Sequence, residues 1–359
     1  MTSVEVLKQG FGTHPSGADV DAYLLLNARG MHVRVLTYGG IVQSLEVPDR
    51  RGKLADVVLG FDTLEPYLAN PFYFGALIGR NGNRIANGRL PIDGRVHQLT
   101  RNNGAHHLHG GGKGLHQQLW KAESFAGGRE CGVVMSCTSQ DGDDGYPGTV
   151  SVRVTYTLSS ENRFVIASEA TTDAPTVVNL TQHSYFNLSG VRGQPVLDHE
   201  LMIDANQFTP VDDTLIPLGQ HRGVDGTPFD FRDSRAVGSR IHEADEQLRI
   251  GSGYDHNWVL HERTRDMQSP AVRLVHEASG RSLELFTTEP GLQVYSGGTF
   301  TPDLTGKGGV EYPRFGGIAL ETQHFPDAPN QPAFPSTVLR PGEMYRSATV
   351  WQFGVVQPT

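Results

Sequence analysis

Several stretches of this chain carry polar side chains where a plain strand would carry none. In residues 316–330 (GGIALETQHFPDAPN), Glu321 interrupts an apolar run that stops at Pro326 and Pro329. Such a run reads as a buried strand entering a surface loop. A carboxylate there must be paired, protonated or open to a cavity, because a dry unpaired charge is costly. It is either a structural group satisfied by backbone donors or an Arg, or part of a site. Residues 179–188 (NLTQHSYFNL), read as one strand, put Asn179, Thr181, His183, Tyr185 and Asn187 on one face. That face is a row of hydrogen-bonding groups with an imidazole at its centre, unlike the Lys, Glu and Thr of a solvated face. Asn83 and Arg84 lie between glycines in 79–88 (GRNGNRIANG), which alone is an ordinary turn. Asp255 in 253–260 (GYDHNWVL) and Gln293 in 291–298 (GLQVYSGG) each sit beside apolar strand residues. Together these residues suit a sugar: amides, carboxylates and an Arg for hydroxyls, and aromatic rings for the faces of a pyranose.

The stretch 102–114 (NNGAHHLHGGGKG) offers His106, His107 and His109. No HExxH occurs, and the two cysteines are badly spaced for a Cys/His zinc site. Gly114 stands where a phosphate-binding loop needs Ser or Thr. The HGGG run lacks the GxSxG elbow of an esterase, and no GxGxxG follows a strand. The remaining reading of this loop is a glycine turn with incidental histidines. Asn179 and Asn187 match the glycosylation sequon, which inside a strand is a chance match.

The elements that must position these groups are strands. Residues 151–158 (SVRVTYTL) alternate Val152, Val154, Tyr156 and Leu158 with polar partners, the period of a sheet with one packed face. Strands are also predicted over 31–37, 54–59, 163–170, 271–276, 281–287 and 347–353, with short helices around 62–68 and 239–248. Many strands joined by turns, with 43 Gly and 21 Pro in 359 residues, predict an all-β sandwich or barrel. No linker, repeat or shift in composition divides the chain, so residues 1–359 read as one domain; a split near residue 160 is the alternative.

The formal charge of −9 and the absence of any Lys/Arg block argue against a nucleic-acid or basic membrane face. The N-terminal MTSVEVLKQGFG has no basic region followed by an apolar one, and no run approaches a membrane span. A soluble, cytoplasmic protein is expected. Cys131 and Cys137 lie six apart on a predicted strand, roughly 20 Å from each other. A disulfide needs its Cα atoms within about 7 Å, so the two thiols are expected free.

With these residues in view, the chain resembles the aldose 1-epimerases (galactose mutarotases). The resemblance rests on NRIANG at 83–88, NNGAHHLHGG at 102–111, DGYPG at 144–148, VNLTQHSYFNL at 178–188, GYDHNW at 253–258, GLQVYSG at 291–297 and LETQHFPDAPN at 320–330. It implies a large antiparallel β-sandwich with few short helices and a groove on one sheet. It also implies interconversion of the α and β anomers of free hexoses by ring opening and reclosure. Glu321 falls on the family's general base, His183 on its general acid, and His109 on a histidine that assists near the ring oxygen. Asn83, Arg84, Tyr185, Asp255 and Gln293 fall on sugar-binding positions. Two departures stand out: Asn81-Gly82 replaces a small apolar pair before Asn83, and Ala105-His106-His107 precedes Leu108 where Pro and Asn are usual. A carboxylate near His183 predicts a raised imidazole pKa. No metal or redox cofactor is expected, nor any partner beyond the sugar and, at most, a second copy of the chain. The rivals are a hexose-6-phosphate 1-epimerase, which needs a basic cluster that Arg84 and Lys113 hardly supply, a glycosidase using Asp255 and Glu321, and a non-catalytic sugar-binding module.

Overall fold

The structure, a computed structural model, describes residues 4–357. Residues 1–3, which begin the N-terminal stretch read above for an export signal, and residues 358–359 lie outside it. Residues Val4–Thr13 form the first strand of a five-stranded antiparallel sheet completed by Asp19–Asn27, His32–Leu36, Val42–Pro48 and Leu54–Asp56. A nine-stranded sheet runs, in spatial order, through Lys121–Gly127, Glu130–Ser139, Val150–Ser159, Arg163–Thr172, Tyr345–Val355, Arg281–Thr287, Val272–Val275, Glu200–Ile203 and Arg235–Ala236. A six-stranded sheet runs through Tyr185–Phe186, Ile318–Gln323, Gly291–Tyr295, Asp255–Leu260, Ala205–Thr209 and Arg222–Gly223.

The alternation in 151–158 holds: Val152, Val154, Tyr156 and Leu158 are buried. They share a core with Phe164, Leu283, Trp351 and Phe353 of the same sheet and with Trp258, Leu292, Val294, Ile318 and Leu320 of the six-stranded sheet. The ring of Phe186 meets that of Trp351 edge-on at 4.9 Å between centroids. The two large sheets therefore pack face to face, as a sandwich does. Each fully buried Leu, Val or Phe contributes about 1.5–3 kcal/mol, so packing and not helix propensity sustains this fold.

Two α-helices occur among the described residues, Glu65–Ala69 and Glu246–Gly251, both shorter than the predicted windows. Asp245 starts the second by accepting from the amides of Gln247 and Leu248 at 2.8 and 3.3 Å. Ser252, in the left-handed region, ends it. Two strand predictions and one loop prediction need correction. The strand begun at Leu54 stops at Asp56, where the Asp56 carboxylate accepts from the amides of Leu45 and Val58 and bends the chain. Residues 179–188 form two short strands, Thr181–His183 and Tyr185–Phe186, paired with different partners. The chain after Gln323 is not a surface loop: Phe325, Ala328 and Asp327 are buried. Cys131 and Cys137 share the Glu130–Ser139 strand and are free thiols. No helix among the described residues is long and apolar enough to cross a membrane.

Candidate active site

The six-stranded sheet has one face in the sandwich core and the other in a polar site. Ile318 and Leu320 point to the core, so Ala319, Glu321 and Gln323 point away from it. Asn257, Gln293 and Glu321 are direct cross-strand neighbours, as are Asp255, Tyr295 and Ala319. On this face the Gln293 amide donates to Asp255 Oδ1 at 2.6 Å. The Thr181–His183 strand packs beside it and brings His183 Nε2 to 3.6 Å from Glu321 Oε1, just beyond hydrogen-bond length.

Loops close the site into a cavity of about 310 Å³, lined among others by Tyr73, Asn83, Arg84, His109, His183, Tyr185, Asp255 and Glu321. Two segments far apart in sequence are tied together here. The Asn83 amide donates to His109 Nδ1 at 3.1 Å, and the His109 amide donates back to the Asn83 carbonyl at 3.1 Å. Arg84 is held by Asn103, whose Oδ1 accepts from its Nε at 3.2 Å, and by the Asp327 amide, which donates to its carbonyl at 2.8 Å. Asp327 also accepts from the Ala86 amide at 2.8 Å, so the chain just beyond Glu321 fixes the turn that carries Arg84. Tyr73, Asn83, His109, Leu215 and Ser252 all line the cavity in the left-handed region. Such conformations cost about 1–3 kcal/mol each and persist only where the surroundings over-determine them.

A sequence profile of the family described as aldose 1-epimerase matches residues 21–352. The chain belongs to the aldose 1-epimerase family. It is 43% identical to the galactose mutarotase of Sus scrofa over 352 residues, 98% of this chain and 99% of that one. It is 36% identical to the aldose 1-epimerase of Escherichia coli K12 over 341 residues, 94% and 96% of the two chains. The solved aldose epimerase homologue from C. elegans superposes with a TM-score of 0.84 at 32% identity, covering 99% of this chain and 100% of that one. The protein is accordingly an isomerase with mutarotase activity.

Burial dominates the electrostatics of this epimerase site. His183 is pushed down to about 3 by burial, which corrects the expectation of a raised value. Glu321 is held well above the ordinary carboxylate range by burial, then by the charge of Asp255, with Arg84 acting the other way. Asp255 is raised by burial against the opposing pull of Arg84 and the Gln293 hydrogen bond. His109 is well below its ordinary value, mainly through burial and then through His183. Desolvation penalises whichever form is charged. Burial therefore favours the neutral form of both Glu321 and His183, in which the pair holds one proton.

One ring nitrogen each of His109 and His183 and one Glu321 oxygen lie within 4.8 Å of one another, a spacing that invites a metal ion. Yet His109 Nδ1 accepts the Asn83 amide, which places its proton on Nε2. The nitrogen left for the cavity is a donor, suited to a sugar oxygen and not to a metal. His106 and His107, adjacent in sequence, serve the loop. His106 accepts from the Asn87 amide at 3.0 Å, and His107 bridges the Thr100 carbonyl and the Tyr146 hydroxyl at 2.7 and 2.8 Å.

Glu321, His183, His109, Asn83, Arg84, Tyr185 and Asp255 meet around the one cavity; Gln293 lies behind it and holds Asp255. Sequence reasoning missed Tyr73, whose ring centroid lies 4.7 Å from that of His109, 5.0 Å from His116 and 5.9 Å from His183. Its surroundings, Asn70-Pro71, carry only a helix-stop signal. Tyr295 and Asn257 were also missed, although each is two residues from a residue singled out and so on the same strand face.

Proposed function

We propose that this chain interconverts the α and β anomers of a free hexose such as galactose or glucose, with Glu321 as general base and His183 as general acid. The observation that carries this reading is the 3.6 Å approach of His183 to Glu321 inside a cavity rimmed by sugar-sized hydrogen-bonding groups. The pair holds one proton, and its working form has the carboxylate on Glu321 and the imidazolium on His183. Arg84 favours that form by lowering the proton affinity of Glu321, and a sugar hydroxyl donating to the carboxylate favours it further.

Glu321 takes the proton from the anomeric hydroxyl as the bond from C1 to the ring oxygen breaks, and His183 protonates that oxygen. The aldehyde turns about the C1–C2 bond. On reclosure His183 recovers its proton and Glu321 returns one to the anomeric oxygen. His109, protonated on Nε2, donates to the ring-oxygen side, and Asp255 and Arg84 hold hydroxyls. Two positioned proton-transfer groups contribute about 10²–10⁴-fold each, enough for a reaction whose uncatalysed barrier is modest.

Among the described residues Arg84 is the single Lys or Arg lining the cavity, while Lys113 points to Asp143 on the surface. That favours a neutral sugar over a sugar phosphate. Polarimetry on freshly dissolved α-galactose and α-glucose tests the proposal: accelerated decay of rotation supports it. Release of new reducing ends from a glycoside, or binding without acceleration, would replace it with a glycosidase or a sugar-binding module.

A further inference from the structure

Behind Glu321, on the side away from the sugar cavity, the same sheet face carries a second group of polar side chains that the mechanism does not use. Asn257, Thr181 and Gln323 are all buried, and none of them lines the cavity. Both amide atoms of Asn257, both of Gln323, the Thr181 hydroxyl, Gln293 Oε1 and Glu321 Oε2 are buried without a hydrogen-bond partner among the described residues. Buried polar groups are nearly always satisfied by protein or by ordered water, and leaving one unmet sacrifices its hydration for nothing. Seven such atoms on adjoining residues point to a shared polar guest.

The register sets Asn257, Gln293, Glu321 and Gln323 beside one another. Gln323 is opposite Gly291, and Glu321 is opposite Gln293, which is opposite Asn257. Gly291 supplies no side chain, and a Cβ there would overlap Asn257 Oδ1, so the Asn257 amide leans over Gly291 toward Gln323. On the other side, a Cβ at Gly82 would stand 3.3 Å from Thr181 Cγ2 and 3.4 Å from Gln323 Oε1. The φ of Gly82 lies outside the left-handed region. Position 82 therefore bears on this group through close packing and not through backbone conformation. The turn at Asn81-Gly82, one of the two departures from the family pattern, thus packs directly against Thr181 and Gln323.

We propose that Asn257, Gln323 and Thr181, brought close to one another over Gly82 and Gly291, bind a buried water that hydrogen-bonds Glu321 Oε2, making the three side chains positioning residues for that carboxylate. Buried waters make about three hydrogen bonds each to such groups. A water held by Gln323, Asn257 and Thr181 and donating to Oε2 leaves Oε1 to face His183 and the substrate. It also stabilises the carboxylate form. The other groups that bear on the charge of Glu321 are His183 and Tyr185 from one neighbouring segment, His109 from the glycine loop, Asp255 from the next strand but one, and Arg84. All of them remain in the variants below.

The proposal rests on Glu321 acting as the base, and the test separates the two ideas. A crystal structure of the wild-type protein that resolves ordered solvent is expected to show water within hydrogen-bond distance of Gln323, Asn257 and Glu321. Amides bonded directly to one another around a dry space would overturn the proposal. In solution, Gln323→Leu and Thr181→Val are expected to lower kcat about tenfold, the effect of losing one hydrogen bond to a charged group, with KM within about twofold. Their alkaline limb moves to higher pH, because losing a donor disfavours the carboxylate. Thr181→Ser, which keeps the hydroxyl, restores both. A lowered melting temperature with unchanged kcat and an unmoved limb means a structural role only, and overturns the positioning role. Should Glu321→Gln itself retain turnover, it is the base assignment that fails.

Discussion

Replacing Glu321 by Gln changes one oxygen to an amide nitrogen in a fully enclosed position. The shape is kept and hydrogen bonding remains, but the basic oxygen 3.6 Å from His183 is gone. If that oxygen accepts the anomeric proton, the transition state loses its acceptor while the ground state loses one hydrogen-bond option. Such an asymmetry lowers kcat far more than it raises KM. The expected fall is on the order of 10²–10⁴, or about 2.7–5.4 kcal/mol of activation free energy. Stability should move the other way. The folded protein keeps Glu321 protonated well above the ordinary carboxylate range, whereas the unfolded chain ionises it above about pH 4.3. Between those two pKa values, rising pH costs the wild type up to about 1.4 kcal/mol per unit, and the Glu321→Gln variant has no such cost. Polarimetric kcat and melting temperatures, measured on the same preparations at pH 5 and pH 8, decide the matter. The variant should be nearly inactive, and its stability relative to wild type should grow with pH. Turnover near wild type refutes the general-base role. A variant that is less stable at pH 8 by the same margin as at pH 5 refutes the neutral buried carboxylate.

With His183 pushed down to about 3 by burial, the one-proton state of the pair survives as pH falls through 6.5, so kcat should hold from pH 7 to pH 5; an acid limb near 6.5 would show an imidazole that titrates normally. These limbs belong to the pair and not to either residue. Because the Asp255 charge raises Glu321, Asp255→Asn should move the alkaline limb of kcat to lower pH, and an unmoved limb would remove Asp255 from the field of the base. Arg84→Ala and Asp255→Asn should raise KM by about tenfold or more, the loss of hydrogen bonds to charged groups; unchanged KM and kcat in both would take them out of the sugar's contact. EDTA should leave activity unchanged, because His109 presents a donor and not a lone pair; loss of activity restored by zinc would overturn that tautomer.

The all-β architecture and the chemistry were legible in the sequence for local reasons. Alternation in 151–158 depends on a period of two that any pleated strand imposes, and it survived intact in the Val150–Ser159 strand. Glu321 was visible because a carboxylate among apolar residues must be compensated. His183 and Asp255 stood out as polar groups in strand-like runs. The motifs from 83 to 330 named the family because each alone is weak but seven of them occur in the family's order.

What the sequence could not carry was every property set by segments distant in the chain. Whether His109 or His106 faces the cavity depends on which imidazole the Asn83 amide meets. Residues 179–188 divide into two strands because Thr181–His183 pairs with Ala76–Ile78 and Tyr185–Phe186 with the Ile318–Gln323 strand. Local propensity contains no trace of that choice. The side-chain role of Gln293 is likewise decided by Asp255, which the neighbouring strand places within reach of its amide. The pKa of His183 reversed for the same reason. A neighbouring carboxylate can be guessed from motifs, but desolvation comes from the whole fold, and here it lowers the imidazole. Sequence determined which groups are present and on which strand face they stand; tertiary packing decided which of them meet, and how far from water they do so.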